Sequence, residues 1–403
     1  MTARTVRRGL VGAALTVTMA ATALTTTASA DTGRDRDPHA ATRAVMDAQV
    51  KAGIPGVLGQ VQDGNGTWNA SAGVADLRTD RKRLPQDRFR VGSVTKAFVA
   101  TVLLQLEAEG RLDLDDSVER HLPGLVRGNG NDGRRITVRN LLNHTSGIFN
   151  YTNDPDVLER ITTGFLEHRY DTATPKQLVA AAMKHRPDFE PGKGWNYSNT
   201  NYVLAGMIVE KVTGHSYGSE VDKRIVDKLG MRSTTVPGTS VRMPSPHGRA
   251  YSKLLSDKPD AKIHDVTELN PSWAWAAGEI ISTTGDLNRY YRALLGGKLL
   301  PERQQKELLT TVPTGDAAGT GYGLGLMKAK LSCDVTLWFH TGGIHGSTSL
   351  ASGTENGRHT ASFNFNGDWT ADIEGLIEAE YCNTKPAPAA KANPALKQLT
   401  SLR

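Results

Sequence analysis

The chain has 403 residues, of which 38% are hydrophobic and 22% charged. At roughly 100–200 residues per domain this allows two or three domains or one large composite one, and the balance excludes a collagen, a disordered acidic tail and a membrane bundle. The formal net charge is +6, but Arg4, Arg7 and Arg8 supply half of it, so no clustered basic face argues for nucleic acid. Two cysteines cannot build a zinc ribbon or an iron–sulfur centre, and no H-E-x-x-H run occurs.

Residues 1–30 have a basic start, an apolar, Thr-rich run from Leu10 to Leu24, and Ala28-Ser29-Ala30 before Asp31. This three-part layout predicts a secretory signal peptide and an extracellular protein. A membrane anchor is the alternative, but the apolar run falls short of the ~20 residues a bilayer needs. No later stretch is apolar enough to span a membrane. Export allows Cys333 and Cys382 to pair as a structural disulfide. Two buried free thiols are the alternative.

Residues 31–38 read as a frayed start and Ala41–Ala52 as an amphipathic helix. Val57–Gln62 and Thr67–Ala72 alternate around Asp63-Gly64-Asn65-Gly66, which predicts a hairpin. Over Ser93–Glu109 the apolar residues cover most of the helix circumference, so this helix should be central and buried. Gly110 stops it. Short helices follow, among them Tyr202–Val212 and Tyr217–Leu229, then Asp286–Leu295 and Pro301–Thr310. Strands are predicted at Tyr322–Met327, Val335–Phe339, Thr348–Ala351 and Thr360–Phe365, with a last helix at Ala371–Tyr381. Strands near both ends predict one sheet closed by the two ends of the chain. The expected organisation is a sheet domain of residues 31–110 and 261–384, an inserted helical domain of residues 111–260, and a loose tail of residues 385–403.

Two motifs are weaker than they look. Gly128-Asn129-Gly130-Asn131-Asp132-Gly133 fits G-x-G-x-x-G but lacks the strand and buried helix a dinucleotide site requires. Gly214-His215-Ser216-Tyr217-Gly218 fits a nucleophile elbow, but a charged helical end precedes it, so Gly214 reads as a helix stop. His340 and His345 do not share a helix face as zinc ligands would.

Three segments carry chemistry. Ser93-Val94-Thr95-Lys96 is the single S-x-x-K of the chain. It opens the most apolar helix, with the serine and lysine one turn apart on one face. An N-cap serine with a solvated lysine is the ordinary reading. A lysine among Ala97, Phe98 and Val99 on a buried helix instead needs a partner or a function. Y-x-N occurs at Tyr151, Tyr197 and Tyr381. Tyr197-Ser198-Asn199 follows a tight Pro/Gly-rich approach to a helix, which can present a phenol to a cleft. A half-buried packing tyrosine is the alternative. His340-Thr341-Gly342-Gly343 follows a strand, and its glycines admit a substrate backbone.

In this order the three segments resemble the penicillin-recognising serine hydrolases. The chain is most similar to secreted D-alanyl-D-alanine carboxypeptidases of the class C β-lactamase-like group, from about residue 40 to Cys382. Arg88-Phe89-Arg90-Val91-Gly92, Gly321-Tyr322-Gly323-Leu324-Gly325-Leu326 and Leu331-Ser332-Cys333 extend the likeness. The resemblance implies an α/β (α+β) fold, an antiparallel sheet flanked by helices with an inserted all-helical domain. It implies that Ser93 is the acylated nucleophile and that Lys96 and Tyr197 share the proton transfers. The N–H groups of Ser93 and Gly343 would form the oxyanion hole. Asn199, His340 and Thr341 would hold the substrate, and Phe149, Thr152 and Trp273 would line the cleft. The resemblance implies that neither a metal nor an organic cofactor is needed.

Two positions depart from the pattern. Met327 stands where the carboxypeptidases place an arginine that grips the substrate carboxylate, and Gly343 where they have threonine. Three functions follow as expectations. The first is a D-Ala-D-Ala carboxypeptidase acting on peptidoglycan-type peptides, acylated by β-lactams. The second is a related esterase, D-amino-acid amidase or weak β-lactamase acting on small esters or amides. The third is a non-catalytic penicillin-binding protein.

Overall fold

A computed structural model describes residues 37–384, apart from residues 255, 257, 259 and 316–319. The predicted leader and tail lie outside the described residues. Helix α1 spans Ala40–Lys51 and leads into the hairpin of β1 (Gly56–Asp63) and β2 (Gly66–Gly73). The turn forms because the Asp63 carboxylate accepts the Asn65 N–H at 2.8 Å. Helix α2 (Thr95–Ala108) is buried along all but its last residue, as its all-round apolarity predicts. Helices α3 (Asn199–Thr213) and α4 (Thr284–Leu295) follow. The chain then returns to strands: β3 (Gly321–Tyr322), β4 (Met327–Lys330), β5 (Thr336–Ile344), β6 (Ser347–Thr354) and β7 (Thr360–Phe365). Helix α5 (Ile373–Cys382) ends the described chain.

The sheet runs β2-β1-β7-β6-β5-β4-β3 and is antiparallel throughout. The N-terminal hairpin thus pairs with the C-terminal strands through Val57 opposite Phe365. One apolar cluster joins Val45 and Met46 of α1, Leu376 and Ile377 of α5, and Phe339 and Phe363 of the sheet. A larger one joins α2, α3 and α4 to Trp338 of β5. The Cys333–Cys382 disulfide, with Cα atoms 5.6 Å apart, ties the β4–β5 turn to the end of α5.

Two predicted elements are broken. Tyr322–Met327 is two short strands around a turn, because Gly325 adopts φ +79° and a Cβ there would press on the Lys96 carbonyl at 2.9 Å. Tyr217–Leu229 passes through a π-helical turn at Asp222–Val226.

Candidate active site

The first predicted segment enters α2 through a single 3-10 turn, Gly92–Val94. Gly92 sits at φ +53°, and a Cβ there would lie 2.8 Å from the Gly343 nitrogen. A Cβ at Gly342 would collide with the Val91 carbonyl. The turn bearing Ser93 and strand β5 therefore meet at backbone distance, which side chains on either would prevent. Ser347 and Ser349 of β6 secure the approach, donating to the Arg90 and Val91 carbonyls at 2.7 Å each.

Lys96 is fully buried. Its Nζ lies 3.0 Å from Ser93 Oγ, 2.8 Å from Asn199 Oδ1 and 2.7 Å from the Ala277 carbonyl. The last two are pure acceptors. In the neutral amine they occupy both N–H groups and leave the lone pair facing the Ser93 hydroxyl. Burial drives the Lys96 pKa well below the usual lysine range, and no acidic group offsets it. The neighbours above it are rings: Tyr197 at 4.9 Å and Tyr202 at 5.5 Å from Nζ.

The surrounding titratable groups are neutral as well. His340 donates from Nδ1 to the Thr341 carbonyl at 2.6 Å, which leaves Nε2 to accept the Tyr322 hydroxyl at 2.9 Å. Burial depresses its pKa to about 3. His144 Nδ1 accepts the Ser198 N–H at 3.2 Å and faces Asn201 Nδ2 at 3.1 Å, so its proton is on Nε2. Its ring lies 4.4 Å from Tyr197 and 4.7 Å from Tyr322, and burial holds its pKa well below normal. Tyr197 is buried and its Oη makes no hydrogen bond of ordinary length. Burial raises its pKa, although Ser93 is close enough to oppose that rise.

Ser93 opens onto a cavity of about 210 Å³. Asn199, Thr152, Trp273 and Gly343 share its wall with Tyr151, Leu158, Ile161 and Ile344. Phe149 is outside that wall, its ring stacked on His185 at 4.0 Å. His340 and Thr341 are buried behind the wall. Met327 is also off the wall: it is fully buried opposite Phe339 and Tyr322 in the sheet. Lys328 faces the other way, over the Trp338 ring at 5.6 Å. Position 327 therefore does not present a side chain to the cavity.

The competing motifs resolve as structure. Gly214 ends α3 at φ +78°, and Ser216 caps the next helix by accepting the Ser219 N–H. Gly128 and Asn131 pair in a two-residue hairpin. Among the described residues no group of His, Cys, Asp and Glu could hold a metal ion. Sequence reasoning missed His144, Tyr322 and the Ala277 carbonyl. His144 belongs to none of the three motifs, Tyr322 reads as a strand residue, and a carbonyl carries no sequence signal.

The antiparallel sheet, the helices flanking it and the serine at the mouth of α2 are those of a serine hydrolase with the β-lactamase/transpeptidase fold. The chain belongs to that family: the Beta-lactamase family model matches residues 40–373. It is similar to a D-stereospecific amidohydrolase from Streptomyces sp., with 57% identity and a TM-score of 0.82 over 86% of this chain and 99% of that one. A D-amino acid amidase from Ochrobactrum anthropi, complexed with D-phenylalanine, is 28% identical with a TM-score of 0.74, covering 87% and 100%. A penicillin-binding protein of Bacillus subtilis is 26% identical over 309 residues, which is 73% of this chain and 64% of that protein. The match thus spans somewhat under two thirds of that relative's length.

Proposed function

We propose that the protein hydrolyses amides and esters of D-amino acids through an acyl-enzyme on Ser93. The observation that carries this reading is the cavity wall: among the described residues it contains no lysine or arginine. A peptide ending in a free carboxylate would lose its hydration there with no cation to replace it. An amide or ester loses much less. The likeness to the Streptomyces amidohydrolase and the Ochrobactrum amidase supports the same choice over a D-Ala-D-Ala carboxypeptidase.

In this mechanism neutral Lys96 takes the Ser93 proton as Oγ attacks the carbonyl carbon. The N–H groups of Ser93 and Gly343 receive the oxyanion. Tyr197, kept protonated by its raised pKa, relays a proton between Lys96 and the departing nitrogen. The C–N bond breaks, ammonia or an amine leaves, and the acyl group stays on Ser93. Water then attacks the ester under the same base, releasing the acid and restoring the serine. Asn199 orients Lys96 and the substrate carbonyl side. Export with loss of residues 1–30 is part of the proposal, and a mature N-terminus at Asp31 by mass spectrometry tests it.

Turnover of D-phenylalanine amide, L-phenylalanine amide, a D-Ala-D-Ala peptide, a short-chain ester and a cephalosporin tests the function. The D-amide should exceed both the L-amide and the free-acid peptide. Preference for the peptide would restore the carboxypeptidase reading. Formation of no covalent Ser93 adduct with any of them would leave a non-catalytic binder.

A further inference from the structure

At the end of the cavity formed by the β5–β6 turn, two acceptor atoms are buried without a protein partner, beside the equally unpartnered indole N–H of Trp273. Asp368 follows β7, is 8% exposed and lines the cavity. Its Oδ2 accepts the Gly346 N–H at 2.9 Å, while Oδ1 makes no hydrogen bond. His345 is 6% exposed and lines the same cavity. Its Nε2 donates to the Ile161 carbonyl at 2.7 Å, so Nδ1 carries a lone pair, and that atom also has no partner. The ring is held by Phe165, stacked at 3.7 Å, and by the Trp273 edge at 5.6 Å. Burial lowers its pKa against the pull of Asp368, which favours the neutral form.

The unpartnered atoms of Asp368 and His345 are both acceptors. A buried acceptor left unpaired is costly, and a ligand that supplies a donor removes that cost. The pair also brings one negative charge. The rest of the wall carries no other charged side chain: it holds the apolar Leu158, Ile161 and Ile344, the polar Thr152, Asn153 and Thr348, and Trp273, whose indole N–H is also unpartnered. A carboxylate would be repelled there, and an uncharged acyl chain would leave both acceptors unpaired. A protonated amine offers three N–H donors and the opposite charge.

We propose that Asp368 and His345 form an ammonium subsite that selects acyl donors with a free α-amino group. The preferred substrates are then unblocked D-amino-acid amides and esters, with N-acylated ones disfavoured. This deepens the reading of the cavity as an acyl-donor pocket and rests on it.

The full chain is assayed with two pairs: D-phenylalanine amide against its N-acetyl form, and D-phenylalanine methyl ester against methyl 3-phenylpropanoate. The free-amine member of each pair should be favoured by about 10-fold or more in kcat/KM. Asp368→Asn keeps an acceptor for the Gly346 N–H and removes the charge. It should lower kcat/KM for the free-amine substrates by about 10-fold or more, chiefly through KM, with the phenylpropanoate ester within about 2-fold of wild type. An equal loss on both esters would assign Asp368 to holding the turn and overturn the proposal, as would a wild-type preference for the N-acetyl amide. Should the variant fail to fold, wild-type ester hydrolysis provides the second test. 2-Phenylethylamine should inhibit it more strongly than 2-phenylethanol, and equal inhibition would overturn the subsite. Ester turnover with the amine preference intact but no amide turnover would sink the amidase reading alone.

Discussion

The two ends of the cavity are both buried, and burial does opposite things at each. Around Lys96 every neighbour is uncharged. Asn199 Oδ1, the Ala277 carbonyl and Ser93 Oγ meet its nitrogen, so burial shifts its protonation and leaves a base. Around Asp368 and His345 the polar atoms are incompletely met, so burial leaves a demand for donors that a substrate can fill. Hydrogen bonding completed at the lysine nitrogen tunes its reactivity, and acceptors left open on Asp368 and His345 provide selectivity.

The largest effect that would break this contrast is at the nucleophile. Ser93→Ala should lower kcat by about 10⁴–10⁶, measured by steady-state hydrolysis. A labelled fluorophosphonate should attach to the peptide containing Ser93, and labelling at Ser216 instead would remove the reactive end from the cavity.

Lys96→Met keeps the side-chain length and removes the base, with an expected loss of about 10²–10⁴ in kcat. The wild-type pH profile sharpens the same point. A base works when deprotonated, so kcat/KM should fall as pH drops through the depressed Lys96 pKa and level off well below pH 10.5. A rate still climbing at that pH would show a charged lysine and undo the neutral end.

Away from the cavity, the disulfide closes a separation of 49 residues. Cys333→Ser with Cys382→Ser should cost about 4 kcal/mol in denaturant unfolding. The acyl-enzyme chemistry should survive at permissive temperature, since neither cysteine lines the cavity.

Glu279 repeats the contrast in a second buried site. Its Oε1 accepts the Tyr217 hydroxyl and its Oε2 has no partner. Burial raises its pKa to about 7, against the lowering influence of Tyr217 and Arg90. The folded state therefore holds a proton that the unfolded state releases near 4.5. Stability present below that pH is lost as pH rises through about 7. Glu279→Gln should remove this slope and gain up to about 3 kcal/mol at alkaline pH, read from unfolding at several pH values. An unchanged slope would place the titration elsewhere.

The sequence by itself determined the local features of this protein. The hairpin at Asp63–Gly66, the buried helix behind Ser93 and the shared face of Ser93 and Lys96 follow from periodicity and from one helical turn of spacing. The family was legible because its three short motifs keep their order. Tertiary structure decided what depends on chain-distant contacts. Lys96 becomes a base through partners 103 and 181 residues away. Tyr197, its ring 4.4 Å from that of His144, approaches Ser93, whereas the Tyr151 hydroxyl is engaged by the Trp273 carbonyl at 2.6 Å. Met327 turns into the core and the predicted strand breaks before it, because Gly325 must pass α2 closely. Asp368 and His345 share one cavity only because β7 folds beside the β5–β6 turn. Residue spacing encodes which face of one element a side chain occupies; which groups meet, and whether burial leaves them paired, is set by packing between elements.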